Sequence, residues 1–402
     1  MANPFISPAH VDPLSSGADA YSDRFSWEDA PQRIAYFLLV GLTAALLYSY
    51  WNMLQLTSEA WNQPQYSHGF IIPLIALYMM WSMRPNPGAQ EGPVEQRESL
   101  MGLCDADTLR NGSMACGLVA VVGYFSGISL LTGLAGIAFA LLCIGMLAYI
   151  LLGQPLSGVT SAERWIGLAV IVAAYAARII AAKYSMDPVD RLSFVVALFG
   201  LFVLVGGWRL ISWAGPAVGF LLFMYPLPTV IEGRLMPNLQ KLAAVCSEIS
   251  LTILGLPVVR QGNSIFVDGM PLNIAEACSG LRMLTIFIAM TVAMAFLIKR
   301  PWWDKLIMLL SAIPIAIVSN VLRILAIALL FMVIPTDWHM FGVDMEEVFH
   351  RTVHDYAGYA MMIPALGLLF IELKLLSLLS VQEEGIEIHS TGVGAPGAYT
   401  PQ

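Results

Sequence analysis

Charge is the first thing this 402-residue chain has little of: Asp, Glu, Lys and Arg together make up 12% of it, while 58% is apolar. Soluble domains carry about 25% charged and ~45–50% apolar residues. There is too little polar surface here to cover a water-soluble fold, which excludes a cytosolic enzyme, a secreted disulfide scaffold and a disordered hub. Basic charge is also short. Twenty Lys and Arg against 28 Asp and Glu leave a formal charge of −8, so the footprint of a nucleic-acid binder is missing. The five cysteines (Cys104, Cys116, Cys143, Cys246, Cys278) are odd in number and contain no CxxC pair, suggesting neither a disulfide framework nor a zinc site. Residues 1–33 lack the apolar core of a leader peptide and read as a solvated acidic tail. A second polar tail covers 381–402. The first hydrophobic span is therefore expected to serve as the membrane signal.

What the chain does have is a succession of long apolar runs. A spanning helix needs ~20 mostly apolar residues, and ten candidates appear, at 34–51, 68–82, 114–132, 134–153, 164–182, 192–208, 211–230, 281–298, 304–334 and 354–380. The expected fold class is an all-α polytopic membrane protein with about 8–10 transmembrane helices in one membrane domain, 34–380. The run 304–334 is long for a single crossing and is expected to continue past Asn320 as a re-entrant or tilted stretch. No internal repeat supports an inverted-repeat transporter.

Lys299, Arg300 and Lys305 crowd the short turn before 304–334, and Arg84, Arg97 and Arg110 mark the loop 83–113. Basic short loops stay in the cytoplasm, which with ten crossings places both termini there. The long non-spanning region 231–280 then falls outside. In it Leu235, Leu239, Leu242, Ala243, Val245, Cys246, Ile249 and Ile253 fit one face of an amphipathic helix along the membrane surface. Ser264–Val267 and Met270–Ile274 flank Asp268-Gly269, a hairpin signal. The hairpin leads into Glu276-Ala277-Cys278-Ser279-Gly280, just before a span.

Ionisable groups at spans are costly and are functional candidates by default. Cys278 stands at an outer span mouth beside Ser279, Gly280 and Arg282. Gly280 allows close backbone approach, and a sulfur near a helix start is biased toward thiolate. Arg323 lies 18 residues beyond Lys305, about 27 Å along a helix, and so at the same depth as Cys278. Asn320 shares its face. His354 opens the last span from the outer side. Cysteine, histidine and arginine thus meet at one face, the set for thiol acyl transfer: a thiolate nucleophile, an imidazole to move its proton and a guanidinium for the oxyanion. His350 is an alternative base. His350 and His354 at i,i+4 could grip a metal, but the glutamate of HExxH is absent. Asp355 is placed to orient a base, and Glu276 to tune the thiol or cap the helix. Tyr66-Ser67-His68-Gly69, after Trp61, falls on the same face, either as a site-supporting element or as an interfacial aromatic belt.

At these residues the chain resembles the exosortase/archaeosortase family. The motifs that carry the resemblance are Glu276 to Arg282, Asn320-Val321-Leu322-Arg323, His354-Asp355-Tyr356-Ala357-Gly358, Tyr66 to Gly69 with Pro73, and Pro226-Leu227-Pro228. It spans about 60–370 and implies Cys278 as nucleophile, Arg323 as oxyanion or positioning group and His354 as acid/base. It further implies a bacterial cytoplasmic-membrane protease/transpeptidase, with its site facing the exterior and no metal or organic cofactor. The implied substrates are secreted proteins ending in a short motif such as Pro-Glu-Pro, a transmembrane helix and a basic cluster. The chain carries about two more spans than the family's usual eight. A transporter, or an assembly protein for exopolysaccharide export, is the rival reading.

Overall fold

The computed structural model describes residues 30–85, 106–125, 129–152, 154, 156, 158–267, 270–273, 280–298, 300–333, 339–340, 343–344, 367–368, 370–372 and 374–375. The expected roles of Glu276, Cys278, Ser279, His350, His354 and Asp355 fall outside these residues. So do most of the span expected at 354–380, whose described residues are helical, the tail 381–402 and residues 1–29; residues 30–33, expected in the polar tail, instead open the first helix, with Gln32 buried.

Ten helices carry the described chain: α1 (Ala30–Ser49), α2 (Trp51–Ala60), α3 (Ile72–Met83), α4 (Ala106–Phe125), α5 (Ser129–Leu151), α6 (Ser161–Tyr184), α7 (Asp187–Phe220), α8 (Thr229–Ile253), α9 (Leu281–Leu297) and α10 (Trp302–Val333). Among the described residues, five stretches are long and apolar enough to cross a membrane: Ala30–Ser49, Gly133–Leu151, Ser161–Tyr184, Asp187–Met224 and Trp302–Leu330, with Leu281–Leu297 a shorter apolar helix. The protein is an all-α polytopic membrane protein. The run expected at 68–82 is shorter as a helix than it reads, because Pro64–Phe70 forms a 3-10 turn and α3 keeps 12 residues, about 18 Å.

Small residues set the helix contacts, as packing between helices in lipid requires. Gly145 of α5 faces Ser113 of α4, and Gly117 of α4 faces Leu142 of α5, so this pair is antiparallel. Gly167 of α6 meets the backbone of Gly200 and Leu204 in α7. α6 starts on a reciprocal cap, with the Glu163 amide donating to Thr160 Oγ1 at 3.3 Å and the Thr160 amide donating to Glu163 Oε2 at 2.8 Å.

α7 is two arms. Gly207 has φ 63 and ψ −165, a conformation essentially confined to glycine. A Cβ added to Gly215 would stand 3.8 Å from the Phe199 ring, although the two residues lie eight positions to either side of Gly207, so the chain folds back on itself here. The sequence expectation of separate runs at 192–208 and 211–230 agrees with this. Glu163 then serves the second arm as well, accepting from the Trp208 amide at 3.0 Å.

α9 and α10 form another antiparallel pair, with Met283, Leu284 and Phe287 against Ala312 and Ala316. α10 does not become re-entrant past Asn320. It continues as helix to Val333 because a new partner replaces α9: Ile324 and Ala328 pack with Ala243, Ala244 and Leu251 of α8 and with Ile265 and Val267. The apolar face expected for α8 along the membrane surface is divided. Ala243, Ala244, Ser247 and Leu251 turn inward, while Leu242, Ile249 and Ile253 face outward. The small residues let α10 approach closely, and the larger apolar ones remain outside.

The expected hairpin exists as β2 (Ser264–Val267) and β3 (Met270–Asn273), with Val267 opposite Met270 across a two-residue loop. A strand missed in the sequence precedes it. β1 (Val258–Gln261) pairs with β2 through Gly262-Asn263, where Gly262 has φ +65. A two-residue Gly-Asn loop between apolar runs was the available signal. A short ribbon of β4 (His339–Met340) and β5 (Val343–Asp344) follows α10.

Candidate functional site

α9 begins without a side-chain cap, on Gly280 in the left-handed region (φ 82). A Cβ there would stand 3.1 Å from Asn320 Nδ2. The glycine thus answers two demands, a turn of the chain and the closeness of α10. This contact joins two sequence motifs 40 residues apart.

One turn farther along α10 lies Arg323, 2% exposed, as is Asn320. Its place is the junction where α9 stops flanking α10 and α8 takes over, since the next residue, Ile324, already packs with the α8 cluster. A guanidinium reaching out to bulk water would be far more exposed than this. Arg282, in the first turn of α9, is 6% exposed.

The early aromatic motif arrives at the same place. The 3-10 turn Pro64–Phe70 packs against the first part of α9 and against a second 3-10 turn, Leu221–Met224. It is locked by Trp61, whose Nε1 donates to the Met224 carbonyl at 2.6 Å and whose ring meets Phe70 edge-on at 5.0 Å. Gly69 is needed beneath that indole, because any Cβ would overlap it.

His68 is 9% exposed and lies near Arg282; burial first, and then that cation, push its imidazole down to about 4, against a backbone hydrogen bond to Phe223. The ring is neutral across the physiological range. Tyr66 is 3% exposed, and its ring centroid lies 6.5 Å from that of His68. Burial and the neighbouring Glu232 carboxylate hold its hydroxyl above the usual phenol range, so it remains a donor. Glu232 was not singled out in the sequence. An acid in the first turn of α8 reads as a response to the helix dipole, and nothing in the sequence pairs it with Tyr66.

Four of the expected supporting residues on α9 and the early motif, Gly280, Arg282, Tyr66 and His68, are thus gathered with Asn320 and Arg323 at one end of the bundle. The turn between α9 and α10, with Arg300 3.4 Å from Asp304, lies at the other. A second polar cluster shares the first end. Arg178 stacks 3.9 Å from the centre of the Tyr50 ring and pairs with Asp190 at 3.5 Å, and the Tyr50 hydroxyl meets Ser193 Oγ at 3.0 Å. It fastens the α1–α2 junction to α6 and α7. Among the described residues no group of three or more His, Cys, Asp or Glu side chains is placed to hold a metal.

A family model described as transmembrane exosortase matches residues 136–371, which is more than half of the chain. No curated protein and no solved structure matches it.

Proposed function

The chain belongs to the transmembrane exosortase family, and from that premise we propose that it is a cysteine peptidase/transpeptidase that removes the C-terminal sorting signal of secreted proteins. The observation that carries this reading is the contact of Gly280 with Asn320. It sets the start of α9 against the helix of Arg323. Two residues of chain span at most about 7 Å, so Cys278 cannot stand far from Gly280.

In this reading the Cys278 thiolate attacks the carbonyl carbon of the scissile peptide bond. Arg323 holds the oxyanion that forms. The carbon–nitrogen bond breaks as His354 gives its proton to the leaving amine, and the acyl group remains as a thioester on Cys278. Water, or an amine of the cell envelope, then attacks the thioester and restores the thiol. Glu276, Ser279 and Asp355 are supporting groups. The substrate's own helix lies in the bilayer beside the enzyme, with its basic cluster in the cytoplasm. The enzyme would sit in the bacterial cytoplasmic membrane with the site facing outward.

Co-expression with tagged secreted proteins that carry such a tail tests this, wild type against Cys278→Ala, by substrate size on immunoblot. Loss of the processed band in the variant is expected. Unchanged processing, with the variant present at normal level, would return Cys278 to a packing role and leave transport or assembly as the function.

A further inference from the structure

Two of the buried polar atoms beside the proposed site belong to the early aromatic motif and have no well-formed hydrogen bond: the Tyr66 hydroxyl, which Glu232 and the Leu227 backbone approach without closing one, and Nδ1 of His68. Leaving a buried polar atom unmade costs about 1–3 kcal/mol, and folded proteins keep few of them. The two atoms differ in character. Tyr66 stays protonated and offers a donor. The backbone bond to Phe223 favours the charged ring, which assigns that carbonyl as acceptor of the Nε2 proton and leaves Nδ1 as a lone-pair acceptor. Because burial and Arg282 keep the ring neutral, the lone pair persists.

A donor and an acceptor are thus carried on rings whose centroids lie 6.5 Å apart, with Arg282 of the first turn of α9 close enough to act on His68. The chemical group that offers a carbonyl acceptor and an N–H donor in close succession is a peptide main chain. We infer that Tyr66 and His68 bind a backbone C=O and a backbone N–H of the extended substrate segment that crosses the site. Recognition here is of main chain and is independent of the substrate's side chains, so residues elsewhere read the motif. The inference rests on the peptide-cleaving function proposed above.

Tyr225 supplies a control. Its hydroxyl is also buried without a hydrogen bond, but the groups that act on it first are Asp190 and Tyr50 of the second cluster.

The experiment uses the full chain carrying Cys278→Ala, co-expressed with a secreted reporter ending in a Pro-Glu-Pro motif, a transmembrane helix and a basic tail. Uncleaved reporter retained on the purified enzyme is measured by immunoblot, and the melting temperature of each enzyme variant is taken in detergent. Adding Tyr66→Phe or His68→Gln is expected to lower retention about tenfold each, the loss of one hydrogen bond, with the melting temperature unchanged or raised. His68→Asn, whose amide oxygen stands near the Nδ1 position, should recover part of it. Tyr225→Phe should retain reporter like its parent. Retention unchanged in both Tyr66→Phe and His68→Gln would overturn the inference, as would a loss accompanied by a lowered melting temperature in both. Cleavage of the reporter persisting in Cys278→Ala would count against the proposed function; equal retention of the remaining uncleaved reporter with and without Tyr66→Phe and His68→Gln would count against this inference.

Discussion

Arg323 illustrates what a single residue demands of its surroundings. A guanidinium 2% exposed at a membrane span is costly, and its fixed fork of donors is what distinguishes it from a lysine. If it holds the oxyanion, Arg323→Lys should slow processing by at least ~100-fold, the usual loss for one such donor, with enzyme level unchanged. Pulse-labelled conversion of the reporter measures this, and a near-normal rate would remove Arg323 from that role. Gly280→Ala should fail for another reason. A left-handed φ costs a non-glycine residue about 1–2 kcal/mol, and the new methyl would press on Asn320; a lowered melting temperature together with slower processing is the expected result. The sequence made Gly280, Asn320 and Arg323 legible as residues to single out, since polar and glycine positions at span ends are few. It could not show why Gly69 is a glycine. That depends on Trp61 folding over it, a contact between residues with no common periodicity.

Among the elements, α7 shows how much two adjacent glycines decide. With Gly206 and Gly207 at the fold-back, two apolar runs become a tight antiparallel pair whose second arm starts on the Glu163 carboxylate. Gly207→Val should lower the melting temperature by an amount corresponding to ~1–3 kcal/mol or more, the cost of forcing a side chain into that backbone region. An unchanged melting temperature would mean that the fold-back does not need glycine. Hydropathy placed both arms correctly because each must be apolar to cross. It did not show that α8 also has an inward face of Ala243, Ala244 and Leu251, beside which Leu242, Ile249 and Ile253 stay exposed. In lipid, large apolar residues lose nothing by facing outward, so small ones claim the helix contacts, and hydrophobicity no longer tells inside from outside. β1 escaped notice because four residues with one arginine carry little period-two signal.

The whole molecule has two unlike ends. One collects the buried polar residues around Gly280, Arg282, Asn320 and Arg323; the other holds the short turn with Arg300 and Asp304. If the first faces the cell exterior, a cysteine introduced for the exposed Asn263 should react with a membrane-impermeant maleimide in intact cells. One introduced for the exposed Trp302 should react only after the cells are opened. Labelling in the reverse order would invert the proposed orientation.

The unbroken length of α10 has a further consequence. Trp302 and Trp303, stacked at 3.5 Å and well exposed, are side chains that settle at a lipid headgroup boundary. Arg323 follows Trp303 after 20 residues, about 30 Å of helix, which equals the hydrocarbon thickness of an average bilayer. The helix is thus a ruler fixed at its tryptophan end, and the lipid decides whether Arg323 meets water or oil. Reconstituted in short-chain lipids the site would be lifted clear of the hydrocarbon, and in long-chain lipids it would be drawn under. Turnover should therefore pass through a maximum as acyl length is varied, and a flat profile would show that the tryptophans do not set the depth.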